Sequence, residues 1–170
     1  MLRLLCTEIC RIHEPGEAKI FAFDAGDSFA NNIPPDYLGA HIRTLQEMRQ
    51  IIAELADYCE KRIAGQRKIT THAYVIIDDY DVLLASTSAT FGSEPLLPLL
   101  PLLATAEKIG LHIILASANN ATGFTSDSVT RFLNMRESPK IIFDDAGGTP
   151  GKARLIHENT RTEVQIAYVS

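Results

Sequence analysis

Residues 73–84 read AYVIIDDYDVLL. An apolar run rich in β-branched residues ends in two adjacent acids, Asp78 and Asp79, followed by Tyr80, a third acid at Asp81 and more apolar side chains. The run is short and continuous, which predicts a buried strand over 73–78. Its two carboxylates then stand at the strand's tip, where they either hold a ligand or cap the next turn.

The flanking sequence sets that strand in an alternation of strands and helices. Leu2, Leu4, Leu5, Ile9 and Ile12 recur at helical spacing, so residues 1–13 predict an amphipathic helix with no N-cap residue before it. Residues 13–16 (HEPG) predict a turn, 19–24 (KIFAFD) a short buried strand ending in an acid, and 24–38 a loop rich in Gly, Asn, Pro and Asp. Leu45, Met48, Ile52, Leu55 and Cys59 place a long helix over 43–64. Beyond the central strand, 85–93 predicts a small-polar loop. Pro98 suits a first helical turn, so a helix is expected from 98 to Gly110. Residues 111–117 (LHIILAS) predict another buried strand, 119–126 a loop, 127–135 a short helix and 140–143 a strand. An acidic, Gly-rich turn over 144–151 leads into a hairpin of 153–157 and 163–169 around ENTR. Strands alternating with helices give an α/β fold with a mostly parallel sheet, here as one domain over 1–170. Ligands of such sheets sit beyond the carboxyl ends of the strands, where Asp24, Asp78, Asp79 and Ser117 all fall.

Composition narrows the function. The formal charge of −5 and the scattered basic residues argue against a nucleic-acid-binding stripe. The densest basic group, Lys61, Arg62, Arg67 and Lys68, reads as a solvated helix end beside a loop. The three cysteines, Cys6, Cys10 and Cys59, are odd in number and form no CxxC, which suits free core thiols. His72 and His112 read as structural, because the histidines show no metal-ligand spacing. No apolar stretch is long enough to span a bilayer, and 1–12 lacks the marks of a signal peptide.

An apolar strand ending in paired acids has the form of a Walker B segment. There Asp78 would reach the water shell of a nucleotide-bound Mg²⁺, a hard cation that takes oxygen ligands, and Asp79 would stand where a base polarises the attacking water. Such a site also needs the phosphate cradle GxxxxGK[ST]. The nearest match is residues 146–153 (AGGTPGKA), where Ala146 replaces the first Gly and Ala153 the closing Ser or Thr. A strand-like tail follows it instead of a helix, so the match is rejected.

The order of these pieces resembles the FtsK/SpoIIIE-type RecA-like ATPase domains, most closely the C-terminal ATPase domains of the type VII (ESX) secretion protein EccC/EssC. VIIDDYDVL (75–83) is similar to the family's Walker B, and PLLPLLATAEKIGLHIILA (98–116) to the helix and strand that follow it. TPGKARLI (149–156) with VQIAYV (164–169) resembles the closing hairpin, and IFAFDAGD (20–27) with PPDYLGAHI (34–42) the preceding strand and loop. The resemblance implies a P-loop NTPase fold of the ASCE type, with a C-terminal β-hairpin, built around Mg-ATP. In this family a strand and the phosphate loop precede a helix of the MLRLLCTEI kind, which here begins at Met1. The expectation is an incomplete domain without that strand and loop, and with unpaired backbone where the strand would lie.

Other departures concern catalysis. Asp79 replaces the usual Glu, and a carboxylate displaced by about 1 Å costs roughly a hundredfold in a positioned reaction. Ser117 and Ala118 occupy the place of a polar sensor. Arg131 lies where such families carry an arginine directed at a neighbouring subunit's nucleotide, though it equally suits a solvated helix position. The resemblance therefore implies a degenerate module of a type VII secretion motor. Its expected partners are other ATPase domains and the C-terminal signal of a secreted helical substrate. Its expected place is the cytoplasm, at the inner face of a membrane complex. The alternatives are an active ATPase completed by a phosphate loop from another segment or chain, and a DNA-translocase fragment, which the acidic balance disfavours.

Overall fold

The computed structural model describes residues 1–66, 70–88, 94–117, 127–143, 152–158 and 160–166. The chain forms two compact units, Leu2–Ala118 and Asn119–Ser170, with Met1 grouped with the latter.

The larger unit is built on a four-stranded parallel sheet. Its elements are α1 (Leu2–Ile12), β1 (Ala18–Phe23), β2 (Leu38–Ile42), α2 (Leu45–Ile63), β3 (His72–Ile77), α3 (Tyr80–Ser88) and β4 (Leu111–Leu115). The strand order is β2-β1-β3-β4. The AYVII run is the inner strand β3, in parallel register with β1 from Ala18↔His72 to Phe23↔Ile77 and with β4 from Ala73↔Leu111 to Ile77↔Leu115. Ile20, Ala22, Val75, Ile76 and Ile77 are buried, each large aliphatic side chain contributing about 1.5–3 kcal/mol. Along β4 only Leu111 is buried. The rest of that strand is half-buried, and among the described residues no strand pairs its outer edge.

The helices follow their apolar faces. Leu2, Cys6 and Ile9 of α1 are buried with β1 residues in one core cluster. Met48, Ile52, Leu55, Ala56 and Cys59 form the buried stripe of α2. Thr44 opens α2 with a capping box: its side chain accepts from the Glu47 N–H, and the Glu47 carboxylate accepts from the Thr44 N–H. Burial pushes all three thiols up, Cys6 to about 12 with further help from Cys10 and Asp24, which makes Cys6 a poor nucleophile.

Four expectations are corrected. The expected loop over 24–38 leads directly into β2, which the sequence hides. Gly39 interrupts the strand because a Cβ there would meet the Phe21 ring at 3.1 Å and the Ile20 carbonyl at 3.3 Å. Residues 85–88 of the expected small-polar loop belong to α3, and 89–93 lie outside the described residues. The helix expected over 98–110 is two 3₁₀ pieces, Leu97–Thr105 and Glu107–Ile109, because Pro101 removes a donor inside it. Gly110 closes it as expected, in the left-handed conformation at φ 68°. Arg62 is not part of a solvated helix end. It is 5 % exposed, donates to the carbonyls of Ile109 (2.6 Å) and Thr71 (2.5 Å) and to the Tyr58 hydroxyl (3.1 Å), and lies over the Tyr58 ring.

The smaller unit contains α4 (Ser128–Met135) and an antiparallel sheet of β5 (Lys140–Phe143), β6 (Lys152–His157) and β7 (Thr160–Gln165), in the order β5-β6-β7. The buried Asp127 caps α4 by accepting from the N–H groups of Val129 and Thr130 and from the Thr130 hydroxyl. β6 and β7 form the expected hairpin, in register from Lys152↔Gln165 to His157↔Thr160, with Thr160 and Arg161 of the expected turn inside β7 and residues 167–169 outside the described residues.

Candidate functional site

The carboxyl ends of the four parallel strands are stitched by backbone bonds. Asp24 N–H donates to Ile42 O, Asp78 N–H to Phe23 O, Ala116 N–H to Ile77 O and Tyr80 N–H to Ala116 O. The ladder fixes where each strand-end side chain emerges, and it brings Asp24 and Asp78 to one rim, as the sequence implies.

Asp24 is the organiser of this rim. It is 1 % exposed, and its carboxylate accepts from the N–H groups of Ser28 (2.7 Å), Phe29 (2.7 Å) and Ala30 (2.7 Å), at the start of a 3₁₀ turn over Ala30–Asn32. Burial works to raise its pKa. The hydrogen bonds from Ala30, Phe29 and Ser28 outweigh burial and hold the carboxyl below the usual range. Arg3 Nε donates to Ser28 O (2.7 Å), tying the first turn of α1 to the same loop. Arg43 and His41 on β2 and its exit hold the adjacent Asp27.

Asp78 is half-buried. Its Oδ2 accepts from the Ser28 hydroxyl at 2.8 Å, and its Oδ1 accepts from the N–H of Asp79 at 3.1 Å. Asp79 is exposed and sits at φ 47°, in the left-handed region that favours Gly, Asn or Asp. Partial burial, then Asp78 and Asp81, push its carboxyl up. A raised carboxylate on a strained corner suits a proton acceptor, while Asp78 suits the water shell of a divalent cation.

The fit to Mg-ATP is half of a site. Asp78 keeps lone pairs free for a hydrated Mg²⁺, whereas the Asp24 carboxylate is spent on backbone N–H groups. Among the described residues no Gly-rich loop at a helix start accompanies these acids. In the rejected match, residues 146–151 lie outside the described residues. Lys152 and Ala153 are in strand β6, with the Lys152 Nζ 3.6 Å from Glu163.

Arg131 is exposed on α4, in the smaller unit, with its Nε 3.4 Å from the Asp127 carbonyl. Ser117 follows β4 at the rim, and Ala118 lies outside the described residues. Sequence reasoning missed Ser28, the hydroxyl that meets Asp78, and the anchoring role of Asp24. The available signal was the spacing of an acid and a serine four residues apart in a small-residue loop.

Comparison with known proteins follows the same lines. No protein-family model matches the chain. It is 25 % identical over 126 positions to the ESX-4 secretion system protein EccC4 of Mycobacterium tuberculosis, covering 68 % of this chain and 10 % of that protein. It is 24 % identical over 188 positions to the ESX-1 secretion system protein EccCb1 of Mycolicibacterium smegmatis, covering 95 % of this chain and 31 % of that one. The chain thus spans less than a third of the length of these curated relatives. Two solved structures of Thermomonospora curvata EccC share its fold with a TM-score of 0.81 over 99 % of this chain. One is the cytoplasmic domain of that type VII secretion ATPase (19 % identity, 22 % of its chain covered). The other is ATPases 2 and 3 in complex with a signal sequence peptide (20 % identity, 34 % covered). The α/β architecture, with its parallel sheet and C-terminal antiparallel strands, is that of the EccC ATPase domains.

Proposed function

We propose that the chain is a module of a type VII secretion motor that binds protein rather than hydrolysing ATP. Its partners are neighbouring ATPase domains of the motor and the helical C-terminal signal of a secreted substrate. It works in the cytoplasm, at the inner face of the membrane complex. The likeness to EccC in sequence and fold supports the general setting, and one solved relative carries a signal peptide. The observation that carries the binding reading is the strand-end acid pair without a phosphate cradle. No GxxxxGK[ST] occurs in the 170 residues, and among the described residues no Gly-rich loop at a helix start accompanies Asp78. Phosphate contacts dominate nucleotide affinity, so the acids alone hold no Mg-ATP.

A second reading is favoured by the outer edge of β4, which no strand pairs among the described residues. A strand and phosphate loop from another segment or chain would complete a hydrolytic site there, with Asp78 on the Mg²⁺ water shell, Asp79 orienting water and Arg131 serving a neighbouring subunit.

Calorimetric titration with Mg-ATP, beside an Asp78→Ala control, separates the two. Silence in both proteins, with saturable binding of a type VII substrate's C-terminal signal peptide, is the expected result. Heat of Mg-ATP binding that disappears in the control would sink the binding-only reading.

A further inference from the structure

The opposite, amino end of the same sheet holds four rings from three segments. His72 opens β3, Tyr74 follows two residues on along the same face, and His112 is its register partner on β4. Tyr74 and His112 stack with centroids 4.4 Å apart, and His72 and His112 with centroids 5.3 Å apart. His13, just past the end of α1, lies 5.0 Å from the His72 ring and 5.7 Å from that of Tyr74. Two polar contacts lock the group: His72 Nδ1 to His112 Nε2 at 3.0 Å, and His13 Nε2 to the Tyr74 hydroxyl at 2.8 Å. The Tyr37 hydroxyl, in turn, donates to the His13 carbonyl at 2.7 Å.

A bond between two imidazole nitrogens needs one N–H donor and one bare lone pair. With both rings protonated the lone pair is gone, and two cations face each other across 3.0 Å. The surroundings add to that penalty. Arg62, buried and bonded only to carbonyls and a phenol, lies on the α2 side and disfavours a charge on His72. The carboxylates that favour one, Glu17 for His72 and Glu107 for His112, are exposed to water. Burial first, then neighbouring charged groups, hold both histidines below their ordinary range.

We propose that His13, His72, Tyr74 and His112 form a proton-operated clasp, which when neutral fastens the end of α1 to the start of β3 and β4. Protonation of the His72–His112 pair unfastens it. The sign follows from linkage. Groups that are harder to protonate in the folded state stabilise it fully above about pH 6.5, the unfolded value, and that contribution is lost as pH falls through the folded values. The segment released is then the end of α1, which His13 joins to the sheet through its contacts with His72 and Tyr74.

Backbone hydrogen exchange on the full 170-residue chain tests this, read as protection factors for α1 relative to α2 at pH 7.5 and 5.5. The expected result is a loss of about tenfold or more in α1 alone. A His72→Gln/His112→Gln double variant should hold its α1 protection within about twofold over the same range. Protection that ignores pH, or that falls equally in the variant, overturns the proposal. Imidazole NMR titration of the native chain decides the case where the variant does not fold. A hydrogen-bonded pair losing its protons in two separate steps supports the clasp, and two independent titrations at ordinary values overturn it. Zinc added at neutral pH that shifts both imidazoles at micromolar concentration also overturns it, in favour of a metal site.

Discussion

At the carboxyl end of the parallel sheet Asp24 is buried and keeps its charge, because three backbone N–H groups converge on it. At the amino end burial disfavours a charge on His72 and His112, and it is reinforced by His13 for both, by His72 for His112 and by the Arg62 guanidinium for His72. The difference shows that depth alone does not decide ionisation, since burial opposes the charge at both ends. The decisive factor is whether the chain has aimed donors or further cations at the group. One sheet thus carries an anchor that is lost as pH falls through a lowered carboxyl value, and a contact that is lost at higher pH, once pH falls below the ordinary histidine value.

The largest effects should come from the two side chains that fix these ends. Arg62→Ala removes three hydrogen bonds and strands the Thr71 and Ile109 carbonyls, so a loss of about 3–5 kcal/mol in chemical denaturation is expected. Asp24→Ala leaves three N–H groups without their acceptor and should cost about 3 kcal/mol, with Asp24→Asn in between. If Asp24→Ala cost less than about 1 kcal/mol, the contrast between the ends would fail. The Asp24 contribution is present above the unfolded carboxyl value and declines as pH falls through the lowered folded one, which an acid titration of unfolding would show.

Smaller effects sharpen the contrast at the rim itself. Asp78→Ala loses the bonds from the Ser28 hydroxyl and the Asp79 N–H at a half-buried position, so about 1 kcal/mol is expected. Asp79→Gly should be mildly stabilising, by about 0.5–1 kcal/mol, because glycine accepts φ 47° and the substitution removes a carboxylate repelled by Asp78 and Asp81. A melting temperature that falls in Asp79→Gly would mean that this carboxylate makes a stabilising contact.

The legible parts of the sequence were those in which local pattern and tertiary role agree. VII over 75–77 is apolar because β3 is interior, and the Leu45, Met48, Ile52, Leu55 and Cys59 spacing is the buried stripe of α2. Asp78 at the tip of β3 and Asp24 at the tip of β1 follow from strand ends alone. The illegible parts were set by long-range contact. β2 hides behind Gly39, which is dictated by the ring of Phe21 on the neighbouring strand. Arg62 reads as a surface cation until the carbonyls of Thr71 and Ile109, nine and 47 residues away, are placed around it. The ring cluster joins residues 13, 72, 74 and 112, a separation over which no sequence period operates.

The outer edge of β4 has one more consequence, in colloidal terms. Sheet edges are commonly guarded by a lysine or a proline, and Leu111–Leu115 reads LHIIL, with neither. The one ionisable side chain on that strand is His112, whose value is held below the ordinary histidine range by burial and then by His72 and His13. Among the described residues the edge is therefore a template without a gatekeeper, the kind of surface on which a further strand can add.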